Sequence, residues 1–172
     1  MTELQFIVFD VNETLLDLES LVPTFERIFG ERSALRSWFA QLILYSEALT
    51  LAGTYVPFTD IGGAVLKMVA TTRGISISAA DRAELTEKFA SMPPHPEVPD
   101  ALRKLRDAGF RLFTLTDNTA EISGRQLKRA GLLDVLFLKP IDRSVSRLDV
   151  QIGDVIGQDR HLIGVCNSSR YL

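Results

Sequence analysis

The fold of this chain is decided by residues 6–17, which read FIVFDVNETLLD. Four apolar residues in a row are typical of a short strand buried on both faces. The run ends at Asp10, and Asn12 follows as a residue that favours turns. A carboxylate at the carboxyl end of a central strand lies where open α/β sheets bind their ligands. Asp10 is therefore a candidate functional residue, although the position also suits a residue that merely caps the next element.

This stretch resembles the first motif of the haloacid dehalogenase (HAD) superfamily, an apolar strand followed by Asp-x-x-x-Thr-Leu. Asp10, Thr14 and Leu15 occupy the fixed positions of that motif. The resemblance implies that Asp10 is the nucleophile, that Thr14 assists it, and that Val11 and Asn12 contact the substrate. A carboxylate nucleophile displaces a leaving group and forms a covalent intermediate, which water then hydrolyses.

The composition is that of an ordinary globular protein. The chain has 172 residues, of which 46% are hydrophobic and 24% charged, with a net charge of −3. This length suffices for one domain, with or without an insertion, around a real core. The charge balance gives no basic footprint for nucleic acid, and the single Cys166 excludes an internal disulfide. We find no basic leader and no apolar run of membrane-spanning length, so we expect a cytoplasmic protein that binds no membrane.

Between residues 17 and 93 the hydrophobic pattern is helical throughout, with apolar residues three and four positions apart. The proline-rich residues 92–99 predict a linker, in which we expect His95 to be solvated. We therefore predict a helical cap over residues 17–93, inserted into a core made of residues 1–16 and 94–172. Four helices are expected in the cap, over residues 18–29, over residues 33–51, from an N-cap at Thr59-Asp60 to Gly74, and from Ser78 onward.

The rest of the chain alternates between helix and strand. Apolar runs predict further strands at residues 110–115 and 135–138, with helices over residues 99–108 and 120–130. Strands that alternate with helices form a parallel sheet. The predicted class is therefore α/β, with a Rossmann-like parallel sheet core. The resemblance implies that this core is HAD-like and carries the helical cap as an inserted subdomain.

The second strand ends in TLTDNT at residues 114–119. Hydroxyl and amide groups just before a helix N-terminus suit an anion, although these residues also suit a plain N-cap. The segment is similar to the second HAD motif, which implies that Thr116 orients the nucleophile and the substrate anion, with Asp117 and Asn118 beside it. Asp117 stands where the dehalogenase branch usually has a small amide residue. Its negative charge would weaken the binding of an anionic substrate.

Position 12 separates two branches of the superfamily. Phosphatases have a second aspartate there, which protonates the leaving alkoxide, whereas Asn12 cannot donate a proton in the same way. A halide needs no proton, only stabilisation of its developing charge. The insertion also resembles the cap of type II 2-haloacid dehalogenases, which implies that Trp38 and Phe39 line the substrate pocket. Phe39 replaces the usual arginine, which Arg36 could supply. A helical aromatic stripe is more often simple core than the lining of a pocket.

The C-terminal third carries weaker resemblances. Lys139 resembles the lysine of the third motif, which neutralises the nucleophile and the bound anion, although a surface lysine is the alternative. Asp154 and Asp159 resemble the fourth motif, which in phosphatases holds Mg²⁺ together with Asp10. The segment between Thr116 and Lys139 is shorter than is usual in the family. An altered C-terminus would expose a sheet edge, which favours a homodimer.

The resemblance thus implies a HAD-type hydrolase that resembles 2-haloacid dehalogenases, uses Asp10 as its nucleophile and requires no cofactor. Its expected partner is a small anionic organic substrate. Two alternatives stay open. One is a magnesium-dependent phosphatase that uses Asp10, Asp154 and Asp159. The other is a catalytically disabled paralogue that serves in binding.

Overall fold

The computed structural model describes residues 6–136 and 162–164. The predicted third and fourth motifs, with Lys139, Asp154 and Asp159, lie outside these residues. The α/β class predicted from the sequence is confirmed. In chain order the elements are β1 (Phe6–Phe9), a 3-10 helix (Leu18–Leu21), α1 (Val22–Phe29), α2 (Ser33–Leu51), α3 (Phe58–Thr72), α4 (Ala79–Phe89), α5 (Val98–Asp107), β2 (Arg111–Thr114), α6 (Ala120–Arg129) and β3 (Leu162–Gly164).

The described strands form one parallel sheet in the order β2-β1-β3, so β1 is central. Phe9 at the end of β1 is aligned with Thr114 at the end of β2. The Leu115 N–H donates to the Phe9 carbonyl at 2.8 Å, which extends this pairing by one residue. Since parallel strands end at the same edge of a sheet, Asp10 and Thr116 begin neighbouring loops at that edge.

The two predicted strands of the sheet differ in how they are covered. In β1 only Phe6 is buried and the next three residues are half-buried, so the prediction of burial on both faces is wrong for most of the strand. In β2 the last three residues are buried, and α5 packs against this strand with Val98 and Leu102 in the interior. An apolar run predicts a strand, but the cover on each face depends on elements distant in the sequence.

The prediction of a strand over residues 135–138 is wrong where the structure describes it. Val135 and Leu136 lie in a turn, in which the Val135 N–H donates to the Leu132 carbonyl at 3.2 Å. Leu132 and Leu136 are buried. A short apolar run that forms a turn therefore looks the same in the sequence as one that forms a buried strand, and periodicity does not distinguish the two. The third described strand is β3, for which the sequence pattern made no prediction.

Contacts divide the chain into two compact units, one of Leu18–Met92 and one of Met1–Asp17 with Pro93–Leu172. We call them the helical unit and the α/β unit. Within the helical unit, α2 and α3 pack along each other. Among the described residues, no helix combines the length and the apolar character needed to cross a bilayer.

The predicted helices of the helical unit are present, with two changes at their starts. The first is a 3-10 turn followed by α1, and Pro23, which has no N–H to donate, lies in the first turn of α1. The predicted N-cap at Thr59-Asp60 is wrong, because α3 begins at Phe58 after Pro57. The predicted start of α4 is confirmed, since Ser78 and Asp81 form a reciprocal capping box.

Candidate active site

The carboxylate of Asp10 lies at the carboxyl end of the central strand. The chain turns directly after it, because the Val11 carbonyl accepts hydrogen bonds from the N–H groups of Leu15 and Leu16, both at 3.0 Å. This turn returns Thr14 to the nucleophile candidate, and the Thr14 hydroxyl donates to Asp10 Oδ2 at 3.0 Å. The structure therefore joins the two fixed polar residues of the first motif by a direct hydrogen bond.

Glu13 gives this turn an unusual backbone. Its φ of 70° makes it the one residue other than glycine with a positive φ among the described residues. A side chain in this left-handed region costs about 1–2 kcal/mol because its Cβ approaches the carbonyl oxygen. The conformation is held by a hydrogen bond from the Glu13 N–H to the Leu16 carbonyl at 2.9 Å. Strain of this kind is concentrated at functional sites.

The environment of Asp10 changes its acidity. Desolvation raises the pKa of the Asp10 carboxyl, and hydrogen bonds from the Thr14 hydroxyl and the Val11 N–H partly oppose that rise. The residue as a whole is nevertheless open to solvent. A desolvated but accessible carboxylate is a better nucleophile than one that is fully hydrated, because less hydration must be removed before it attacks.

Asn12 lies two residues after Asp10, where a phosphatase would have its acid. It is 8% exposed, and its Oδ1 atom has no hydrogen-bond partner among the described residues. An amide cannot protonate a leaving group, so Asn12 cannot act as the general acid that a phosphatase has at this position.

The loop after β2 supplies polar groups at the same edge of the sheet. Thr116 is 7% exposed, and its hydroxyl accepts a hydrogen bond from the Asn118 N–H at 3.4 Å. The Asn118 side chain is buried and donates to Gln126 Oε1 at 3.1 Å. Asn118 is thereby fixed to α6, whose N-cap is Thr119, while Asp117 lies half-buried between Thr116 and Asn118.

Trp38 and Phe39, predicted to line a substrate pocket, are both buried in the helical unit. The Trp38 Nε1–H donates to the Gly62 carbonyl of α3 at 3.0 Å. The indole also contacts the rings of Phe25 at 5.3 Å and Phe89 at 6.2 Å between centroids. These contacts agree with the alternative of a simple aromatic core. Arg36, proposed as a substitute for the missing arginine, is half-exposed and forms an ion pair with Glu19.

The position of His95 does not follow from the local sequence pattern. It is half-buried, and the prediction of a solvated linker residue is wrong. Its ring Nε2–H donates to the Glu13 carbonyl at 3.3 Å, and its backbone N–H donates to the Leu15 carbonyl at 3.0 Å. A proline-rich stretch hides such a contact, because its partner is 82 residues away in the sequence.

Metal binding was predicted only for the phosphatase alternative. Over residues 6–136 and 162–164, no group of three or more His, Cys, Asp or Glu side chains is arranged to hold a metal ion. Of the three predicted ligands, Asp10 alone lies in this part of the chain.

Comparison with known proteins extends these observations. The chain is 29% identical over 184 residues to an (S)-2-haloacid dehalogenase of Pseudomonas sp. (strain YL), and this match covers 99% of the chain and 77% of the relative. It is 29% identical over 154 residues to an (S)-2-haloacid dehalogenase of Pseudomonas putida, covering 88% of the chain and 66% of the relative. The chain thus spans about two thirds to three quarters of the length of these relatives.

A solved structure shares the fold. The L-2-haloacid dehalogenase of Xanthobacter autotrophicus, with chloropropionic acid covalently bound, matches with a TM-score of 0.76 at 20% identity. The match covers 94% of this chain and 69% of that protein. A family model of haloacid dehalogenase-like hydrolases matches residues 4–159, which include both loops described above. The chain therefore belongs to the haloacid dehalogenase-like hydrolases.

Proposed function

We propose that this chain is a hydrolase that cleaves the carbon–halogen bond of a small 2-haloacid, with Asp10 as its nucleophile. The observation that carries the proposal is the Asp10 carboxylate at the end of the central strand, held by the Thr14 hydroxyl at 3.0 Å. The named relatives support it, since both are (S)-2-haloacid dehalogenases. The structural relative with chloropropionic acid covalently bound supports a covalent intermediate.

The proposed reaction has two steps. In the first, a carboxylate oxygen of Asp10 bonds to C2 of the substrate while the carbon–halogen bond breaks, and the halide leaves with the bonding electrons. In the second, water attacks the carbonyl carbon of the resulting ester. The products are a 2-hydroxy acid, a proton and the restored carboxylate of Asp10.

The polar groups around Asp10 suit this chemistry. Because a halide leaves without a proton, the amide of Asn12 is no handicap, and the reaction needs no cofactor. We propose that Thr116, Asn118 and the backbone from Val11 to Asn12 bind the substrate carboxylate. Asp117 would lie beside the bound substrate, where its negative charge opposes binding. Lys139, which lies outside the described residues, would balance the negative charges of the nucleophile and the substrate.

Halide release from (S)-2-chloropropionate tests the proposal. The wild-type protein should release chloride at the same rate with and without a chelator. Asp10→Asn should lower kcat/KM about 10,000-fold, since it removes the nucleophile. Asp107→Asn is the matched control, because that carboxylate is exposed at the end of α5. Phosphate release from an aryl phosphate that stops with chelator would contradict the proposal in favour of the phosphatase alternative. A folded protein silent in both assays would favour the disabled paralogue.

An isotope experiment tests the covalent step separately. In a single turnover in H₂¹⁸O, the label should enter the Asp10 carboxylate, and the product hydroxyl should carry an unlabelled oxygen from Asp10. Mass spectrometry of the peptide that contains Asp10 measures this directly. A labelled product with an unlabelled peptide would mean that water attacks C2 itself and that Asp10 acts as a base.

A further inference from the structure

The segment that returns from the helical unit pairs with the loop that carries Asp10. Leu16 forms an antiparallel bridge with Pro94, and the Asp17 N–H donates to the Pro93 carbonyl at 2.8 Å. The His95 N–H extends this pairing by donating to the Leu15 carbonyl at 3.0 Å. All of these groups belong to the α/β unit. The backbone of residues 93–95 is therefore built into the loop after β1.

The side chain of His95 adds one contact that a plain backbone pairing would not have. Its ring Nε2–H donates to the carbonyl of Glu13 at 3.3 Å. Glu13 is the residue whose φ of 70° is unfavourable for any side chain. The carbonyl that His95 holds belongs to the peptide between Glu13 and Thr14. Its orientation sets the direction in which the Thr14 side chain leaves the backbone.

Thr14 in turn donates its hydroxyl to Asp10 Oδ2 at 3.0 Å. We propose that His95 is a positioning residue, which holds the Glu13 peptide so that the Thr14 hydroxyl stays directed at the Asp10 carboxylate. His95 itself touches neither substrate nor reacting atoms in this proposal. The expected effect of His95 on turnover rests on the proposed function, in which Asp10 is the nucleophile. The expected effect of His95 on the hydrogen bonds of the loop does not depend on the reaction.

Two amide substitutions test which ring nitrogen matters. The side-chain nitrogen of Gln reaches about as far as Nε2 of His, whereas that of Asn reaches only as far as Nδ1. His95→Gln should therefore keep the bond to Glu13, and His95→Asn should lose it. His95→Phe retains the ring and also loses the bond. Circular dichroism identifies the variants that fold, and the Gln and Asn pair suffices if the Phe variant does not.

The titration of the Asp10 carboxyl is a measure that needs no turnover. It is followed by ¹³C NMR of aspartate-labelled protein, and Asp10→Asn assigns the resonance. Thr14→Val should move the titration to higher pH, because it removes a hydrogen bond to the carboxylate. His95→Asn and His95→Phe should move it in the same direction, while His95→Gln should leave it near wild type. The double variant of Thr14→Val with His95→Phe should titrate like Thr14→Val alone, since both act through one hydroxyl.

Turnover supplies the second measure. If the protein releases halide as proposed, His95→Phe should lower kcat about tenfold and change KM less. Glu13→Gly should restore part of that loss, because glycine adopts the positive φ without help. If the wild-type protein releases no halide, the proposed function fails and the NMR titration still decides the role of His95. An Asp10 titration that Thr14→Val moves and every His95 variant leaves unchanged would overturn the proposal, as would equal effects of the Gln and Asn variants.

Discussion

The aromatic core of the helical unit and the loop after β1 differ in how well their polar groups and backbone are accommodated. In the core, the indole N–H of Trp38 finds the Gly62 carbonyl at 3.0 Å. In the loop, Asp10 carries a desolvated carboxyl, Asn12 Oδ1 has no partner among the described residues, and Glu13 has a positive φ. Proteins violate local rules mainly where function requires it. We therefore expect substitutions in the first region to change mainly stability, and substitutions in the second to change mainly the proposed reaction.

The largest expected effect on stability lies in the aromatic core. Trp38→Ala should lower the free energy of unfolding by about 3–5 kcal/mol, because it removes a buried aromatic side chain. Tyr55→Ala is the control, since that ring is 48% exposed and its loss should change stability by less than about 0.5 kcal/mol. Urea unfolding measures both. Similar values for the two variants would mean that the aromatic core contributes no more to stability than an exposed ring does.

The loop should show its effect in the pH dependence of the reaction. In the proposed reaction the attacking group is the ionised form of Asp10, whose pKa is raised chiefly by desolvation. The acidic limb of kcat/KM should therefore lie at higher pH than an ordinary aspartate would give, with a tenfold fall per pH unit below it. A limb at or below the ordinary range of aspartate would contradict this environment.

The same shift predicts an effect on stability whose sign follows from linkage. When the pKa of a carboxyl is higher in the folded than in the unfolded protein, ionisation of that carboxyl lowers the free energy of unfolding. As pH rises from the ordinary aspartate value through the raised one, Asp10 increasingly opposes folding. Asp10→Asn should therefore stabilise the protein at neutral pH, and this gain should disappear in acid below the ordinary value. Thermal unfolding at several pH values measures the difference, and a gain that is independent of pH would contradict it.

The next effect concerns the charge beside Thr116. Asp117→Asn should raise kcat/KM for a 2-haloacid about tenfold, because a negative charge near an anionic substrate is removed. High salt should reduce the gain by screening. Asp134→Asn is the control, since Asp134 is exposed in the turn after α6. A fall in activity with Asp117→Asn would indicate that this carboxylate has a positive role in the site.

Sequence reasoning succeeded where the structure depends on neighbours along the chain. The bounds of α2 and the start of α4 at Ser78 follow from local spacing, as does a carboxylate at the end of β1. It failed where partners are distant. The contact between His95 and Glu13 spans 82 residues, and β3 pairs with β1 across most of the chain. Neither contact changes the spacing of apolar residues along the chain, since that spacing reflects one helix or strand at a time.

A substitution at Glu13 tests whether the positive φ of this residue lowers the free energy of unfolding. Glycine adopts a φ of 70° as readily as a negative φ, so Glu13→Gly should relieve the strain. Part of that gain is lost because glycine also makes the unfolded chain more flexible. We expect a net increase of about 1 kcal/mol in the free energy of unfolding, since the left-handed conformation costs about 1–2 kcal/mol. This is the smallest predicted effect, and urea unfolding measures it.

The control for Glu13→Gly is the same substitution in a regular helix. Glu47 is exposed inside α2, four residues before its end, where glycine should lower the free energy of unfolding by about 1 kcal/mol. The two variants should therefore differ in sign although they exchange identical side chains. If Glu13→Gly also destabilised the protein, the side chain of Glu13 would contribute more than its backbone costs. The loop would then be held by favourable contacts, as the aromatic core is, and the contrast between the two regions would fail at this residue.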